Sequence, residues 1–308
     1  MNELVSVLMS VYNEPLDWVK TAIESILNQT YDNIEFVIII DNPDRNDVIE
    51  WVQGLDDSRV IRLEVNDSNL GLIASLNKGL GICNGTYIAR MDADDISLPD
   101  RIEKQMAYMK KHGVDLVGCD VSLLINGEAQ NNKAFLPKTS FGVKMLIKNL
   151  GSIYHPTWLV RKKVYEELRG YRDIKYAEDY DFLVRMYING YRFGNVKKIC
   201  FCYRQNLSGI SQQNKAKQKV LATIINQQIK HDRIAEVCEI ESLVEKQKKY
   251  IALLEDYYHF SRMCRNFLFR TKKYKLSTIL RRAKMSYVFL FCREVMQDLT
   301  RKLIVTLM

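Results

Sequence analysis

The sequence predicts an α/β fold in which a mostly parallel sheet is flanked by helices. Two short runs, Val5–Val11 and Ile34–Ile40, are almost continuously apolar, as expected for central strands covered on both faces. Between them, from Leu16 to Gln29, apolar residues recur at helical spacing. A strand, a helix and a second strand in this order indicate a parallel pair joined by a right-handed crossover.

The same alternation continues along the first two thirds of the chain. Helices are predicted at residues 47–55, 72–82, 98–112 and 178–188, and strands at 60–65, 87–91, 114–121 and 200–203. A hairpin turn is predicted at Asn126–Gly127. Two of the predicted strands end in carboxylates, Asp41 and Asp92. Because ligands of parallel sheets bind at the carboxyl ends of the strands, this edge is the expected binding site.

The last third of the chain has a different composition. From Gln212 to Met308 there is neither Gly nor Pro, and 20 Lys and Arg stand against 9 Asp and Glu. The whole chain of 308 residues carries a net charge of +8. We therefore predict an α/β domain at residues 1–210, followed by a basic helical region at 211–308.

Part of the basic region shows an apolar stripe at helical spacing. The stripe comprises Leu276, Ile279, Leu280, Ala283, Tyr287, Leu290 and Phe291, and the bases Arg281, Arg282, Lys284 and Arg293 lie largely off it. Such a helix can bind an anionic membrane surface. The alternative is that the stripe packs on the α/β domain with its bases solvated. Nucleic-acid binding is not expected, because no nucleic-acid motif accompanies the bases.

The seven cysteines and the apolar runs bear on the cellular compartment. The cysteines are odd in number and form no C-x-x-C pair, which argues against both a disulfide framework and a zinc site. The first residues show no basic n-region of a signal peptide, so none is expected, and no window of 18 residues is apolar enough for a membrane span. We expect a cytoplasmic protein.

Three carboxylates stand within four residues at Asp92-Ala93-Asp94-Asp95, directly after an apolar strand. Carboxylates packed this closely repel one another unless a cation lies between them. Oxygen ligands of this kind suit Mg²⁺ or Mn²⁺, which also bind substrate phosphates. The alternative is a solvated turn that begins a helix.

Several motifs in order along the chain resemble the family 2 glycosyltransferases, which use nucleotide-sugar donors, and in particular those that build bacterial surface polysaccharides. The segments that carry the resemblance are 5–14 (VSVLMSVYNE), 22–31 (AIESILNQTY), 69–77, 85–92 (GTYIARMD), His155-Pro156-Thr157 and Glu178-Asp179. Together they extend over residues 4–204. The resemblance implies a GT-A fold, which is Rossmann-like, and a metal-dependent transfer that inverts the sugar carbon.

The resemblance also implies a role for individual residues. The residues expected on the donor side are Tyr12, Asn13, Glu14, Asp41, Asn69, Asn77, Asp92 and Arg204. Asp94 or Asp95 would bind the metal, Asp179 would be the catalytic base with Glu178 beside it, and His155 would lie near the acceptor. The family often has two aspartates and a Gly-Ser turn where this chain reads Asp41-Asn42-Pro43-Asp44, so the nucleotide is left open.

Three of these assignments have a plainer alternative. Tyr12 could pack in the core, His155 could be a packed structural residue, and Glu178-Asp179 could simply be acidic residues favoured at the start of a helix.

The resemblance implies transfer of a sugar from a nucleotide-sugar to a hydroxyl of a lipid-diphosphate-linked saccharide. The expected donor is a UDP-sugar. The enzyme would work at the inner face of the cytoplasmic membrane. One alternative is an inactive, membrane-associated scaffold that binds a sugar nucleotide. Another is a nucleotidyltransferase. The sequence argues against it, because Tyr12-Asn13-Glu14-Pro15 stands where such an enzyme would have a glycine-rich, basic loop after the first strand.

Overall fold

The computed structural model describes residues 3–57, 61–125, 127–134, 136–205, 214–268 and 285–307. Within these residues, nine strands form one sheet with helices on both faces, and a group of helices follows it. The predicted boundary between residues 210 and 211 lies outside the described residues and stays a prediction. All seven cysteines are free thiols, in agreement with the expected absence of a disulfide framework.

The first half of the sheet is parallel, as predicted. It consists of β1 (Val5–Val11), β2 (Ile34–Ile40), β3 (Ile61–Val65) and β4 (Tyr87–Asp92) in the spatial order β3-β2-β1-β4. The helices that connect them are α1 (Leu16–Leu27), α2 (Asn46–Gln53) and α3 (Leu72–Ile82). All residues of β2 are buried, which explains its continuous apolar sequence.

The second half of the sheet mixes strand directions. It consists of β5 (Ile96–Ser97), β6 (Leu116–Ile125), β7 (Glu128–Ala134), β8 (Leu159–Arg161) and β9 (Phe193–Arg204). The short β8 runs antiparallel between β4 and β6, whereas β6 and β9 are parallel. The predicted hairpin joins β6 and β7, with Gly127 at a φ of +83°, while Asn126 is outside the described residues. Strands β5 and β8 were not predicted.

Four helices accompany this half of the sheet: α4 (Arg101–His112), α5 (Ser140–Lys148), α6 (Lys162–Glu167) and α7 (Glu178–Ile188). The prediction that α4 begins at Leu98 was wrong. Ile96 and Ser97 pair with β9, and the Leu98 amide donates a hydrogen bond to the Cys200 carbonyl. The helix starts only after this pairing ends.

The remaining helices are α8 (Lys215–His231), α9 (Val237–Lys246), α10 (Lys248–Leu268) and α11 (Met285–Leu307). Helix α8 packs on α7 and α5. The Asn226 amide donates to the Tyr180 hydroxyl at 2.7 Å and to the Ile147 carbonyl at 3.0 Å. Ile225 of α8 and Ile240 of α9 are buried in the same apolar cluster as α7. These two helices are therefore part of the packed body of the protein.

Helix α11 packs one face against α10. Tyr287 and Leu290 are buried with Leu254 and Tyr257, and Glu294 accepts a hydrogen bond from Tyr258 at 2.7 Å. Tyr287 and Leu290 of the predicted stripe thus face other helices of the basic region, and not the α/β domain that the packing alternative named. Their neighbour Phe291 is exposed. The other stripe residues and their bases lie outside the described residues, except Arg293, which donates to the Tyr250 hydroxyl at 2.9 Å.

Among the described helices, none combines the length and the hydrophobicity needed to cross a bilayer.

Candidate active site

The three predicted acidic residues form one cluster at the end of β4. Asp92 is the last residue of that strand, and Asp94 and Asp95 follow in the turn to β5. Each offers a carboxylate oxygen within 4.8 Å of the others. The last residue of β9, Arg204, holds the turn: its amide donates to Asp95 Oδ1 at 2.6 Å and its Nε to the Asp94 carbonyl at 2.5 Å. Two strands therefore fix this acidic turn (residues 92–95).

The electrostatics of the acidic turn favour a bound cation. Asp95 is 1% exposed, and its Oδ2 atom accepts no hydrogen bond from the described residues. Burial, followed by the charge of Asp92, raises the pKa of Asp94 to about 7 and the pKa of Asp95 well above its usual range. A carboxylate oxygen buried without a partner, beside two further carboxylates, fits a divalent cation such as Mn²⁺ or Mg²⁺.

A buried arginine, Arg90, lies in the middle of β4 and was missed by the sequence analysis. It is 2% exposed, and its guanidinium donates hydrogen bonds to Asp92 and to the Met91 carbonyl. Its positive charge lowers the pKa of Glu178, opposing the larger effect of burial. The signal was present in the sequence, since Arg90 is the one charged residue inside the predicted strand 87–91.

Arg204 has a further contact that the sequence did not reveal. Its guanidinium carbon lies 4.4 Å from the ring centroid of Trp18, in the first turn of α1. Stacking on the ring holds the guanidinium plane in place while Nε binds the acidic turn.

The predicted catalytic pair begins α7. Burial raises the pKa of Glu178 to about 7, with a further contribution from Asp179, and burial also raises the pKa of Asp179. One oxygen of Asp179 accepts a hydrogen bond from the Tyr180 amide at 2.7 Å. Both carboxyl groups and Asp92 line a cavity of about 270 Å³, the first cavity, which brings the predicted base and the acidic turn to one space.

His155 lines the first cavity as well. Its Nε2 atom lies 2.8 Å from the Tyr171 hydroxyl, which lies 3.1 Å from the Tyr165 hydroxyl. Burial and the charge of Arg90 hold the pKa of His155 well below its usual range, so the imidazole is neutral. His155 and Asp179 line the same cavity, and the hydrogen bond gives His155 a structural role. Its place on the acceptor side stays a prediction.

Asn77 lies away from the acidic turn and acts on Tyr171. Its side chain donates to the Tyr171 carbonyl at 2.8 Å and accepts from the Tyr171 amide at 2.9 Å. This reciprocal pair fixes the tyrosine that contacts His155. A direct contact between Asn77 and a donor stays a prediction.

The predicted nucleotide-side residues cluster at the ends of β1 and β2. Tyr12 is 41% exposed, so the core-packing alternative was wrong, and its amide donates to Glu14 Oε2 at 2.8 Å. Asn13 Oδ1 accepts a hydrogen bond from Asn42 Nδ2 at 2.8 Å, which joins the two strand ends.

Asp41 is buried and holds the loop that leads to α3. It accepts hydrogen bonds from Asn66 Nδ2 and the Leu70 amide, both at 2.8 Å, and from the Gly71 amide at 2.9 Å. Asn69 Oδ1 also accepts from the Gly71 amide, at 3.0 Å. The structure thus gives Asp41 a loop-holding role, and its contact with a nucleotide stays a prediction.

Solved structures show that the fold is similar to that of GT-A glycosyltransferases. S. aureus TarS 1–349 in complex with UDP-GlcNAc matches with a TM-score of 0.61 and 17% identity, over 78% of this chain and 70% of that one. A mannosyltransferase from Pyrobaculum calidifontis, PcManGT, in complex with GDP-Man and Mn²⁺, matches with a TM-score of 0.56 and 12% identity, over 98% of this chain and 83% of that one.

Sequence relatives narrow the class to one family. An uncharacterized glycosyltransferase of Methanocaldococcus jannaschii is 37% identical, over 65% of this chain and 70% of its own length. The O-antigen biosynthesis glycosyltransferase WbnJ of Escherichia coli is 32% identical, over 60% and 72% respectively. The model of glycosyl transferase family 2 matches residues 6–169, and the chain belongs to this family.

Proposed function

We propose that this chain transfers a sugar from a UDP-sugar to a hydroxyl of a lipid-diphosphate-linked saccharide, with inversion at the sugar carbon, in polysaccharide biosynthesis. The observation that carries the proposal is the first cavity, where Asp92 of the acidic turn and the Glu178–Asp179 pair line the same space. The UDP-GlcNAc bound by TarS supports a UDP-sugar donor, and the O-antigen role of WbnJ supports the acceptor class.

In this proposal Asp179 is the general base. Its carboxylate takes the proton of the acceptor hydroxyl while that oxygen attacks the anomeric carbon of the donor. The bond from this carbon to the diphosphate oxygen breaks, and its electron pair leaves with the diphosphate. One displacement from the opposite face inverts the carbon. Glu178 keeps the acceptor side of the cavity polar beside the base.

The donor would bind at the strand ends around the acidic turn. Asp94 and Asp95 are the residues that would hold Mn²⁺ or Mg²⁺, and Asp92 would contact the ribose. A bound divalent cation would neutralise the negative charge that develops on the leaving diphosphate. Arg204 keeps the turn in place, and the exposed Tyr12 ring would flank the nucleobase of the donor.

We further propose that the protein acts as a peripheral protein on the inner face of the cytoplasmic membrane. Support comes from residues of α11 outside the predicted stripe. Phe289, Met296 and Leu299 are all more than half exposed, and they recur at helical spacing. The excess of bases after Gln212 would attract this face to anionic lipids.

A release assay tests the transferase proposal. The purified chain is incubated with UDP-, GDP- and dTDP-sugars, Mn²⁺ or Mg²⁺ and a lipid-linked saccharide extract. We expect metal-dependent release of UDP from one donor. Asp179→Asn should lower kcat by roughly 10²- to 10⁴-fold, the range for loss of a general base. Asp32→Asn, an exposed change of the same kind on a loop, is the matched control.

The alternatives give different outcomes in the same assay. Release of pyrophosphate would indicate a nucleotidyltransferase. No release from any donor, together with metal-dependent binding of a sugar nucleotide, would indicate the inactive scaffold. Equal activity of Asp179→Asn and Asp32→Asn would remove Asp179 from the role of base.

A further inference from the structure

A second cavity adjoins the first on the side of the predicted base. Its volume is about 560 Å³, and it lies between the start of α3 and the segment that precedes α7. Glu178 and Tyr176 line both cavities. The described residues that line this cavity do not include Tyr12, the acidic turn or Arg204, but they do include Leu70 and Gly71 of the loop that Asp41 holds. A molecule in this cavity would therefore lie between that loop and Glu178 of the predicted catalytic pair, away from the acidic turn.

The lining of the second cavity combines an aromatic wall with hydrogen-bonding side chains. Tyr176 provides the aromatic surface, and Asn77, Asp173, Lys175 and Gln218 provide polar groups. A sugar ring presents both C–H faces, which pack on aromatic rings, and hydroxyls, which need donors and acceptors. The volume also lies within the roughly 300–1,000 Å³ usual for small-molecule sites.

Tyr176 is held in an unusual backbone conformation. Its φ is +77°, a left-handed value that is uncommon and strained for a bulky residue. The Lys217 ammonium of α8 lies 5.1 Å from the centroid of its ring. Strain of this kind persists where the surroundings enforce it, and such residues cluster at ligand sites.

The helical region contributes to the same wall. Gln218, the residue after Lys217 on α8, lines both cavities. Helix α8 is fixed on α7 by the hydrogen bond from Asn226 to Tyr180. Tyr176 and Gln218 both follow residue 169, where the match to the family model ends. The wall thus lies beyond the segment that the family model matches.

We propose that the second cavity binds the saccharide unit of the acceptor that adjoins the glycosylated unit, with Tyr176 as its stacking surface and Gln218 as a hydrogen-bonding partner. The inference rests on the proposed transferase function and adds an acceptor subsite to it. A helix of the basic region therefore takes part in acceptor selection.

The test compares acceptors of two lengths. Purified full-length chain receives the active UDP-sugar, Mn²⁺ and matched panels of p-nitrophenyl monosaccharides and p-nitrophenyl disaccharides. We expect wild type to prefer a disaccharide. Tyr176→Ala and Gln218→Ala should each raise KM for the disaccharide, by roughly tenfold for the loss of the ring. The kcat/KM for the monosaccharide should fall much less than that for the disaccharide.

Three controls separate binding from folding. Tyr176→Phe keeps the ring and should retain the preference. Tyr176→Gly removes the ring but suits the positive φ, so it should lose the preference without a lower melting temperature. Gln227→Ala, an exposed change on the same helix, should behave as wild type.

Two results would overturn the subsite. One is an equal loss with both acceptor lengths. The other is the absence of any difference between wild type and Tyr176→Ala, in transfer or in saturation-transfer NMR of the disaccharides with UDP present. Failure of the proposed function has a separate signature, namely no UDP release by wild type, while the NMR comparison still decides whether the second cavity binds a disaccharide.

Discussion

At the scale of single residues, the site concentrates negative charge that the protein neutralises only in part. Arg90 and Arg204 are the cations that contact the acidic turn, and they leave Asp95 Oδ2 without a hydrogen bond from the described residues. Buried carboxylates whose pKa is raised favour the protonated form, so their ionisation lowers the stability of the metal-free protein. A ligand cation would reverse that effect.

Metal removal should therefore be visible in thermal stability. At pH 8, Mn²⁺ at about 100 times its dissociation constant should raise the Tm of wild type by roughly 5 °C relative to EDTA. Asp95→Asn should lose most of this increase. The same variant should melt higher than wild type in EDTA, because one buried charge is gone. Differential scanning fluorimetry measures both, and an undiminished Mn²⁺ effect in Asp95→Asn would remove that residue from the metal site.

The carboxyl pair at the start of α7 predicts the pH dependence of activity. A general base works only when deprotonated. Burial raises the pKa of Asp179, and it raises the pKa of the neighbouring Glu178 to about 7. Activity should therefore be full at alkaline pH and fall, as the pH is lowered, at a higher pH than the usual aspartate pKa of about 3.9 would give. The measurement is kcat/KM from pH 5 to 9 at saturating metal. A plateau that extends down to pH 5 would contradict the raised pKa of the pair.

At the scale of elements, the first βαβ units could be predicted because their signals are local. Continuous apolar runs specify β1 and β2. A further local signal is the glycine where the start of β4 passes close to β1. Gly85 lies where a Cβ atom would come within 2.5 Å of the Ser6 amide nitrogen in β1. Its own amide donates to the Ser6 hydroxyl at 2.7 Å. The glycine therefore allows β1 to meet the start of β4.

Substitution of this glycine should be costly. Gly85→Ala should lower the free energy of unfolding by about 1–3 kcal/mol, because backbone must move to admit the methyl group. Gly81→Ala, four residues earlier in α3, meets nothing within 4 Å and should raise stability by about 0.5–1 kcal/mol, as expected inside a helix. Urea unfolding followed by circular dichroism compares the two. Similar effects of both changes would exclude the close crossing as the cause.

Elements that depend on distant partners could not be predicted from local pattern. Strand β8 has three residues, too few for a period, and exists because β4 and β6 both pair with it. The candidate site likewise contains parts that a local pattern predicts and parts that depend on distant partners. The acidic turn and the pair at 178–179 are sequence motifs, whereas the Arg204–Trp18 contact and the wall formed by Tyr176 and Gln218 join separate elements.

At the scale of the whole molecule, the basic region divides into a packed part and an exposed face. Helices α8 and α9 share an apolar cluster with α7, so they stabilise the body of the protein. Helix α11 buries Tyr287 and Leu290 and exposes Phe289, Met296 and Leu299. The sequence predicted an amphipathic helix here, but composition alone could not tell which side would be covered.

The exposed face of α11 should matter for vesicle binding. Replacement of both Met296 and Leu299 by Ser should lower the fraction of protein that floats with phosphatidylglycerol vesicles by severalfold, because apolar insertion is lost. Leu243→Ser, an exposed leucine of α9, is the matched control. High salt should weaken binding of all variants, since the bases act electrostatically. Unchanged flotation of the double variant would exclude this face.

The position of α8 has a consequence for recombination between related enzymes. Lys217 contacts the Tyr176 ring, and Gln218 lines the second cavity with Tyr176, although α8 follows the predicted boundary at residue 210. A chimera joined at that boundary would combine the Tyr176 segment of one parent with α8 of another. Such a hybrid would separate parts that fit each other. Exchange of residues 171–178 together with 215–231 would move them as one cassette, and natural recombination that keeps function is under the same constraint.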